Sequence, residues 1–426
     1  MAKLQKSLKL YGVLILIVVF SFVGIVFAIN VKEQEHQEKE DTLKQVELFA
    51  DALALVKSQY VTETNSKDLI YAAIEGMMSS LDPYSQFLSP DDYKELLVNT
   101  EGEFGGLGIE IALRNKLLTV ISPIEGTPAW KAGIKPLDIV VKIDEELTRG
   151  ITLPDAVKKL RGKPGTSVKL TVLRENEKEL KEFTLTREII KIKDIKHAEI
   201  IEDGIAYVKL LEFRENTSKD LDTALQGLEK NMKGLILDLR NNPGGLLSSA
   251  VEIASKFVDK DKLIVYTQSR DEEKVEYQAI GGKKYLKVPM IILINSGSAS
   301  ASEIVAGAMR DHKRAVLVGE KSFGKGSVQT VVPLVDKAAL RITTSHYYTP
   351  SGRIIQKEGL TPDIVIKEEE SSDEKNKEDE VFEKISKEKK DEKFYKKDLQ
   401  LRRSIDIMKG IMLLSTEDAP VPAVKK

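Results

Sequence analysis

Between residues 189 and 367, short apolar runs alternate with stripes of helical period, and that alternation leaves few architectures open. The runs 204–209, 234–239, 290–294 and 315–318 are too short for helices and rich in Ile, Val and Leu, as strands covered on both faces are. Stretches 217–230 and 246–257 instead repeat apolar residues three and four apart. Strands and helices taken in turn predict an α/β core.

The texture differs upstream. From Gly102 the chain shows β-like runs punctuated by glycine, at Gly105-Gly106-Leu107-Gly108-Ile109-Glu110-Ile111, 117–121, 139–143 and 168–173, with a helix expected at 153–160. A separate domain of about 85 residues, 102–188, accounts for this. Before it, Val46, Phe49, Leu53, Val56 and Tyr60 mark one amphipathic helix, and 66–80 reads as a second. That second helix stops at Leu81-Asp82-Pro83, because proline disfavours helix in the residue before it. Ser89-Pro90-Asp91-Asp92 opens a short third helix. Residues 31–101 are therefore expected to form a helical cap or dimerisation region, and the core occupies 189–367. Lysines and acids then dominate 368–397, a charged linker or a solvated helix. In the closing segment, 398–426, Leu401, Ile405, Met408 and Met412 form a helical stripe that needs a partner surface.

Residues 13–29 are apolar apart from Ser21 and Gly24, and Lys3, Lys6 and Lys9 precede them. This run is longer than the ~7 to 15 residues of a cleaved signal core and approaches the ~20 that span a bilayer. Segment 1–30 is read as a membrane anchor in preference to a cleaved signal peptide, with the remainder outside the cytoplasm. Zero cysteines exclude disulfides, thiolate catalysis and cysteine-held zinc. The four histidines, His36, His197, His312 and His346, have no metal-like spacing, so no metal is expected. A net charge of −2 without a basic patch gives no reason to expect a nucleic-acid partner.

Two motifs in the core carry chemistry. Asn295-Ser296-Gly297-Ser298-Ala299-Ser300-Ala301-Ser302-Glu303 leaves an apolar run through a turn and opens a helix, which puts a hydroxyl at a helix N-terminus. Unpaired N–H groups and the helix dipole favour negative charge there, as an acyl-transfer intermediate requires. Ser300 with Glu303 also fits an ordinary capping box, and Ser298 and Ser302 are rival nucleophiles by chemistry. The second motif, Ser322-Phe323-Gly324-Lys325-Gly326-Ser327-Val328-Gln329, offers a proton acceptor. It resembles a phosphate loop only superficially, because Gly326 replaces the magnesium-binding hydroxyl and a strand follows. A Ser-His-Asp triad through His312 or His346 is the competing arrangement. His312 ends the helix that starts near Ser300 and so lies far from it, whereas His346 is not excluded by the sequence.

These two motifs, together with Asp238-Leu239-Arg240-Asn241-Asn242-Pro243-Gly244-Gly245, Val318-Gly319-Glu320 and Tyr348-Thr349-Pro350-Ser351-Gly352-Arg353, resemble the carboxyl-terminal processing peptidases, serine peptidase family S41. The resemblance runs from about Val46 to Pro362. It implies a mixed α/β (α+β) multidomain chain: an N-terminal helical region, a PDZ domain and a ClpP/crotonase-like peptidase core. It further implies Ser300 as nucleophile, Lys325 as base 25 residues later and Gln329 as the residue that orients it. An oxyanion hole from the N–H groups of Gly245 and Ala301 follows from the same resemblance. No cofactor is required.

A lysine can take the serine proton only when neutral, and exposed it titrates near ~10.4, so burial must bring it down. Phe323 and Val328 are expected to exclude water, with Lys321 adding repulsion and Glu320 opposing it. If 327–331 is a strand, Lys325 and Gln329 share a face. In the PDZ-like module, Gly106, Leu107, Gly108 and Ile109 resemble the carboxylate loop and first groove strand, which would select protein or peptide C-terminal tails. Leu137 stands where such domains usually carry glycine. Arg161, just after the groove helix, is the expected regulatory residue.

The reading is a bacterial, envelope-anchored serine endopeptidase that acts on extracytoplasmic proteins, secreted if its signal is cleaved, and expected to form a homodimer through its helical ends. The competing reading is a catalytically silent PDZ scaffold that retains the peptidase fold.

Overall fold

A computed structural model describes residues 37, 39–174, 177, 179–282, 285–368 and 394–415. The expected anchor at 13–29 and nearly all of the charged stretch 368–397 lie outside the described residues. No helix among the described residues is long and apolar enough to cross a membrane. The chain divides into two compact units at Leu81/Asp82.

The first unit holds α1 (39–59) and α2 (Ser66–Ser79). Asn65 caps α2 by accepting the Lys67 N–H at 2.9 Å. On α1, Val46, Phe49 and Val56 of the expected stripe are all exposed.

The second unit begins with β1 (Gln86–Leu88), α3 (Pro90–Glu101) and β2 (Glu103–Gly106). Ser89 caps α3 with proline in its first turn, and left-handed Gly102 ends it. Next come β3 (Ile109–Arg114), β4 (Leu117–Pro123), α4 (Pro128–Lys131), β5 (Ile139–Ile143), β6 (Glu146–Leu147), α5 (Leu153–Leu160), β7 (Ser167–Leu173), β8 (Lys181–Thr186) and β9 (Glu188–Lys191). Strands β3-β4-β5-β7-β8 form an antiparallel sheet around Leu118, Val120, Val140, Leu170 and Val172, with Ala156 and Leu160 of α5 packed into the same core. Leu137 has φ 70, the left-handed conformation that explains why glycine is the usual occupant there.

The remaining elements are β10 (Ile195–Glu202), β11 (Ile205–Leu210), α6 (Thr217–Leu228), β12 (Gly234–Asp238), α7 (Leu247–Ser255), β13 (Leu263–Ser269), β14 (Lys274–Gln278), β15 (Met290–Ile294), α8 (Ala301–Asp311), β16 (Val316–Gly319), β17 (Ser327–Pro333), β18 (Ala339–Tyr348), β19 (Ile364–Val365) and α9 (Leu399–Ser415). A six-stranded sheet runs β10-β11-β12-β15-β16-β19, parallel except at β10. Its two faces divide the apolar runs by strict alternation. Leu235, Leu237, Met290, Ile292 and Ile294 pack towards a core that includes Leu221, Ala250 and Val305 of α6, α7 and α8. Ile236, Ile291 and Leu293 face Leu401, Ile405 and Met408 of α9, the partner surface that the closing stripe required.

A second, antiparallel sheet, β1-β18-β13-β14 with β17 paired to β18, was not anticipated beyond β17. Only β13 opens on a short apolar run, Leu263-Ile264-Val265-Tyr266, while β14 and β18 are mixed in polarity and nothing announces them.

Candidate active site

Strand β15 delivers the chain to Asn295, and α8 carries it away from Ala301. Between them the turn is stapled to the glycine loop that follows β12. Asn295 accepts the Asn241 N–H at 2.9 Å and donates to the Asn241 side chain at 3.0 Å. The Ala299 N–H reaches the Asn242 carbonyl at 3.1 Å.

The three serines of the motif have different fates. Ser298 and Ser302 are wholly buried, and their hydroxyls are spent on the carbonyls of Leu239 at 2.7 Å and Asn242 at 2.9 Å. Ser300 is only partly buried and lines a cleft of about 730 Å³ with Lys325, Gln329, Gly244, Gly245, Arg341 and Tyr347. It is the N-cap of α8 and forms a capping box with Glu303, as the sequence suggested. Its backbone is not that of an ordinary cap, however. Caps sit in the extended region, whereas Ser300 has φ 55 and ψ −114, a conformation that costs on the order of 1 to 3 kcal/mol and persists only when its surroundings impose it.

What imposes it is packing on both sides. A Cβ placed on Gly244 would lie 2.8 Å from Ser300 Cβ and 2.9 Å from the Ala301 nitrogen, so only glycine lets the two loops touch. On the other side Glu303, 1% exposed, accepts four hydrogen bonds: from Ser300 N–H at 2.9 Å, Ser322 Oγ at 2.6 Å, Gly324 N–H at 2.7 Å and Lys325 N–H at 2.9 Å. One carboxylate thereby holds the serine turn and the lysine loop in register. Burial pushes its pKa up, and the four donors oppose that rise. The sequence showed Glu303 only as a cap, because its other partners lie about twenty residues away across a loop.

The Phe213 N–H donates to the Gly244 carbonyl at 2.9 Å, and the Leu246 N–H donates to the Phe213 carbonyl at 2.7 Å, which fixes the loop on either side of Gly245. The Gly245 and Ala301 N–H groups find no acceptor among the loop and cap bonds of the described residues. Two unspent donors therefore flank the candidate nucleophile, the arrangement that a developing oxyanion needs.

Lys325 precedes β17 rather than lying in it, and Lys325, Ser327, Val328, Gln329 and Val331 all line the cleft, with a shift of register between Val328 and Gln329. Its ammonium forms no ion pair among the described residues and sits 4.9 Å from the centre of the Tyr84 ring. Burial lowers its pKa, and the Arg341 charge lowers it further. Two expectations need correction here. The repelling cation is Arg341 of β18 and not Lys321, and Phe323 is 57% exposed, so Tyr84 is the aromatic group that shields the amine. Gln329 gives its amide to Ser327 at 2.9 Å and Thr343 at 3.2 Å, with no hydrogen bond to Lys325.

The histidines stand apart. His312 caps the far end of α8 and its Nε2 lies 2.7 Å from the Leu263 carbonyl. His346 is exposed and adjoins Tyr347 in β18, so alternation turns it away from the cleft that Tyr347 lines.

Behind the glycine loop lies a buried charge cluster. Asp238 is fully buried and accepts from Arg240 Nε at 3.0 Å, Arg240 Nη2 at 2.7 Å and Tyr207 at 2.8 Å. Arg240 also reaches Asp398 at 2.6 Å and Gln400 at 3.0 Å, at the start of α9. Burial alone would raise the Asp238 pKa, but the Arg240 hydrogen bonds and charge hold it below the ordinary range.

The PDZ-like groove is a small pocket between Gly106, Leu107, Gly108, Ile109 and Ile111 on one side and Val157, Leu160 and Arg161 on the other. Arg161 stacks 4.4 Å from the Phe104 ring and lies 3.7 Å from Glu95 of α3. Lys158 of α5 pairs with Asp91 of α3 at 2.6 Å. The same helix presents Tyr93, Leu96, Leu97, Asn99 and Thr100 to the cleft, so α3 touches both sites.

Three family models match the chain: peptidase family S41 over residues 204–366, a PDZ domain over 119–174, and the N-terminal domain of the activating protease CtpB over 24–91. A carboxy-terminal-processing protease of Bartonella bacilliformis is 43% identical over 335 residues, 78% of this chain and 77% of that protein. A probable CtpA-like serine protease of Staphylococcus haemolyticus is 38% identical over 371 residues, 85% of this chain and 72% of the relative. Among solved structures, the photosystem II D1 C-terminal processing protease is 31% identical, with a TM-score of 0.44 over 75% of this chain and 92% of that one.

Proposed function

Because the chain belongs to peptidase family S41 as a carboxy-terminal-processing serine protease with a PDZ domain, we propose that Ser300 attacks the substrate carbonyl and Lys325 takes its proton. The observation that carries this reading is the strained Ser300 cap sharing one cleft with a partly buried lysine that has no ion pair among the described residues. The Ser300 proton passes to neutral Lys325 Nζ as the Oγ–C bond forms, and the carbonyl oxygen takes the negative charge beside the Gly245 and Ala301 N–H groups. Collapse breaks the C–N bond, and the leaving amine recovers the proton from Lys325. Water then repeats the sequence on the acyl-enzyme, with Lys325 again as acceptor. Gln329 supports this geometry from the same cleft wall through Ser327 and Thr343. Every step uses groups of this chain, and no cofactor enters it.

Substrates enter by their C-terminal tails. The tail adds as a strand beside β3, with its carboxylate on the N–H groups of the Gly106-Leu107-Gly108 turn and its last side chain in the pocket closed by Val157 and Leu160. Arg161 relays occupancy to the cleft through Glu95 and α3. The apolar N-terminal run anchors the enzyme at the bacterial envelope with its catalytic part outside the cytoplasm, and the exposed α1 stripe pairs with a second copy.

The test is cleavage of an unstructured protein by the chain and by Ser300→Ala and Lys325→Ala variants. Each substitution is expected to cost roughly 10³-fold or more. Activity retained by either would overturn the dyad. The pH profile gives an independent check. A base whose pKa is lowered makes activity rise with pH on a limb below that of free lysine. Arg341→Gln removes a repelling charge, raises the Lys325 pKa and moves the limb to higher pH.

A further inference from the structure

Tyr347 is a large group of the cleft that neither the serine turn nor the lysine loop accounts for. Its side chain is 1% exposed and belongs to the main core, locked between β13 and β17. Its backbone N–H donates to the Gly326 carbonyl at 2.9 Å, next to Lys325. Yet its hydroxyl is fully shielded and, among the described residues, completes no hydrogen bond of full geometry, although the ring lines the wall of the cleft. Ser300 lines the same cleft and acts on this hydroxyl through its side chain. An orphan hydroxyl is expensive to bury, and replacement by phenylalanine would ordinarily be neutral or favourable. A tyrosine kept at such a site has its proton directed at something that arrives or changes during turnover.

We propose that the Tyr347 O–H is a positioning donor for the nucleophile: it donates to Ser300 Oγ, which leaves the serine proton directed at Lys325 and stabilises negative charge as it grows on that oxygen. This rests on the reading that Ser300 and Lys325 form the dyad. Tyr347 keeps its own proton throughout. The Oγ–C bond forms as the serine proton moves to Lys325 Nζ, and the same O–H again meets Oγ when the acyl group leaves. Burial, reinforced by the nearby Glu303 charge, holds the phenol well above its ordinary pKa, so it is still a donor at the pH where Lys325 loses its proton. His346 and Tyr348 flank it in sequence and point to the opposite face of β18.

The test uses the full chain with Tyr347→Phe, with Ser300→Ala and Lys325→Ala alongside, on an unstructured protein such as casein. Tyr347→Phe is expected to lower kcat about 10- to 100-fold, the usual scale for one catalytic hydrogen-bond donor, with KM within about twofold and an unchanged or higher melting temperature. Labelling of Ser300 by a fluorophosphonate should slow in parallel. Full kcat, unchanged labelling, or a loss of activity accompanied by a lower melting temperature would each overturn the proposal. If Ser300→Ala stays active, the dyad reading itself fails. If Ser300→Ala is dead and Tyr347→Phe is fully active, only the role of Tyr347 fails.

Discussion

The charges behind the glycine loop and the charges between α5 and α3 are built on opposite terms. Asp238 and Arg240 are buried, fork-paired and extended by Asp398, Gln400 and Tyr207 into one network. Lys158 with Asp91, and Arg161 with Glu95, are solvent-facing pairs of long side chains. A buried pair resists movement because either partner left alone is a desolvated charge. An exposed pair trades its contact for water at almost no cost. The fixed network stands behind the loop that must hold two N–H groups in place, and the exchangeable pairs lie where a bound tail has to be felt.

Breaking this comparison should begin with Arg240→Ala, which takes the fork from buried Asp238 and leaves it only Tyr207 at 2.8 Å and Lys209 at 3.4 Å. Unfolding by denaturant is expected to show a loss of about 3 to 5 kcal/mol. Glu303→Gln comes next. An amide has one acceptor oxygen where four donors converge, so about 2 to 4 kcal/mol of stability should go, with activity falling far beyond what the residual folded fraction explains. Asp398→Asn keeps an acceptor for Arg240 and should cost about 1 to 2 kcal/mol. If it costs as much as Arg240→Ala, the outer half of the network is as essential as the inner half. At the small end, Asp91→Asn with Glu95→Gln should leave the melting temperature unmoved while changing how strongly a tail peptide stimulates cleavage. A drop in stability there would erase the distinction.

The pH response separates the same two regions. Asp238 has a folded pKa below its unfolded value, so its contribution is present above the unfolded pKa and is lost as pH falls through the folded one, at the acid end. Asp91 is likewise held below its ordinary range by the Lys158 hydrogen bond, but that pair is solvent-exposed and screened.

The parallel sheet was legible because its strands are apolar on both faces, and 290–294 coincides with β15. The groove helix was legible for a different reason, since Thr152 caps it and a proline opens it. The antiparallel sheet was not. Strand β18 is mostly half-buried and mixed in polarity, and only its pairing with β13 and β17 brings Tyr347 and Arg341 to the cleft. At the site, Ser300 and Lys325 could be named from their motifs. Their supports could not, because Glu303 looks like a helix cap, Tyr84 lies far from the motifs in sequence, and Tyr347 adjoins the Tyr348–Arg353 motif with nothing to mark it as part of the cleft.

The tie between Arg240 and Asp398 spans 158 residues, and the peptidase family match ends at residue 366. During synthesis, therefore, every motif of the cleft leaves the ribosome before the carboxylate that completes the network behind its glycine loop. Synthesis must pass Asp398 before that loop is fully braced. A gene truncated at the apparent end of the peptidase domain would encode all the motif residues and still lack the brace.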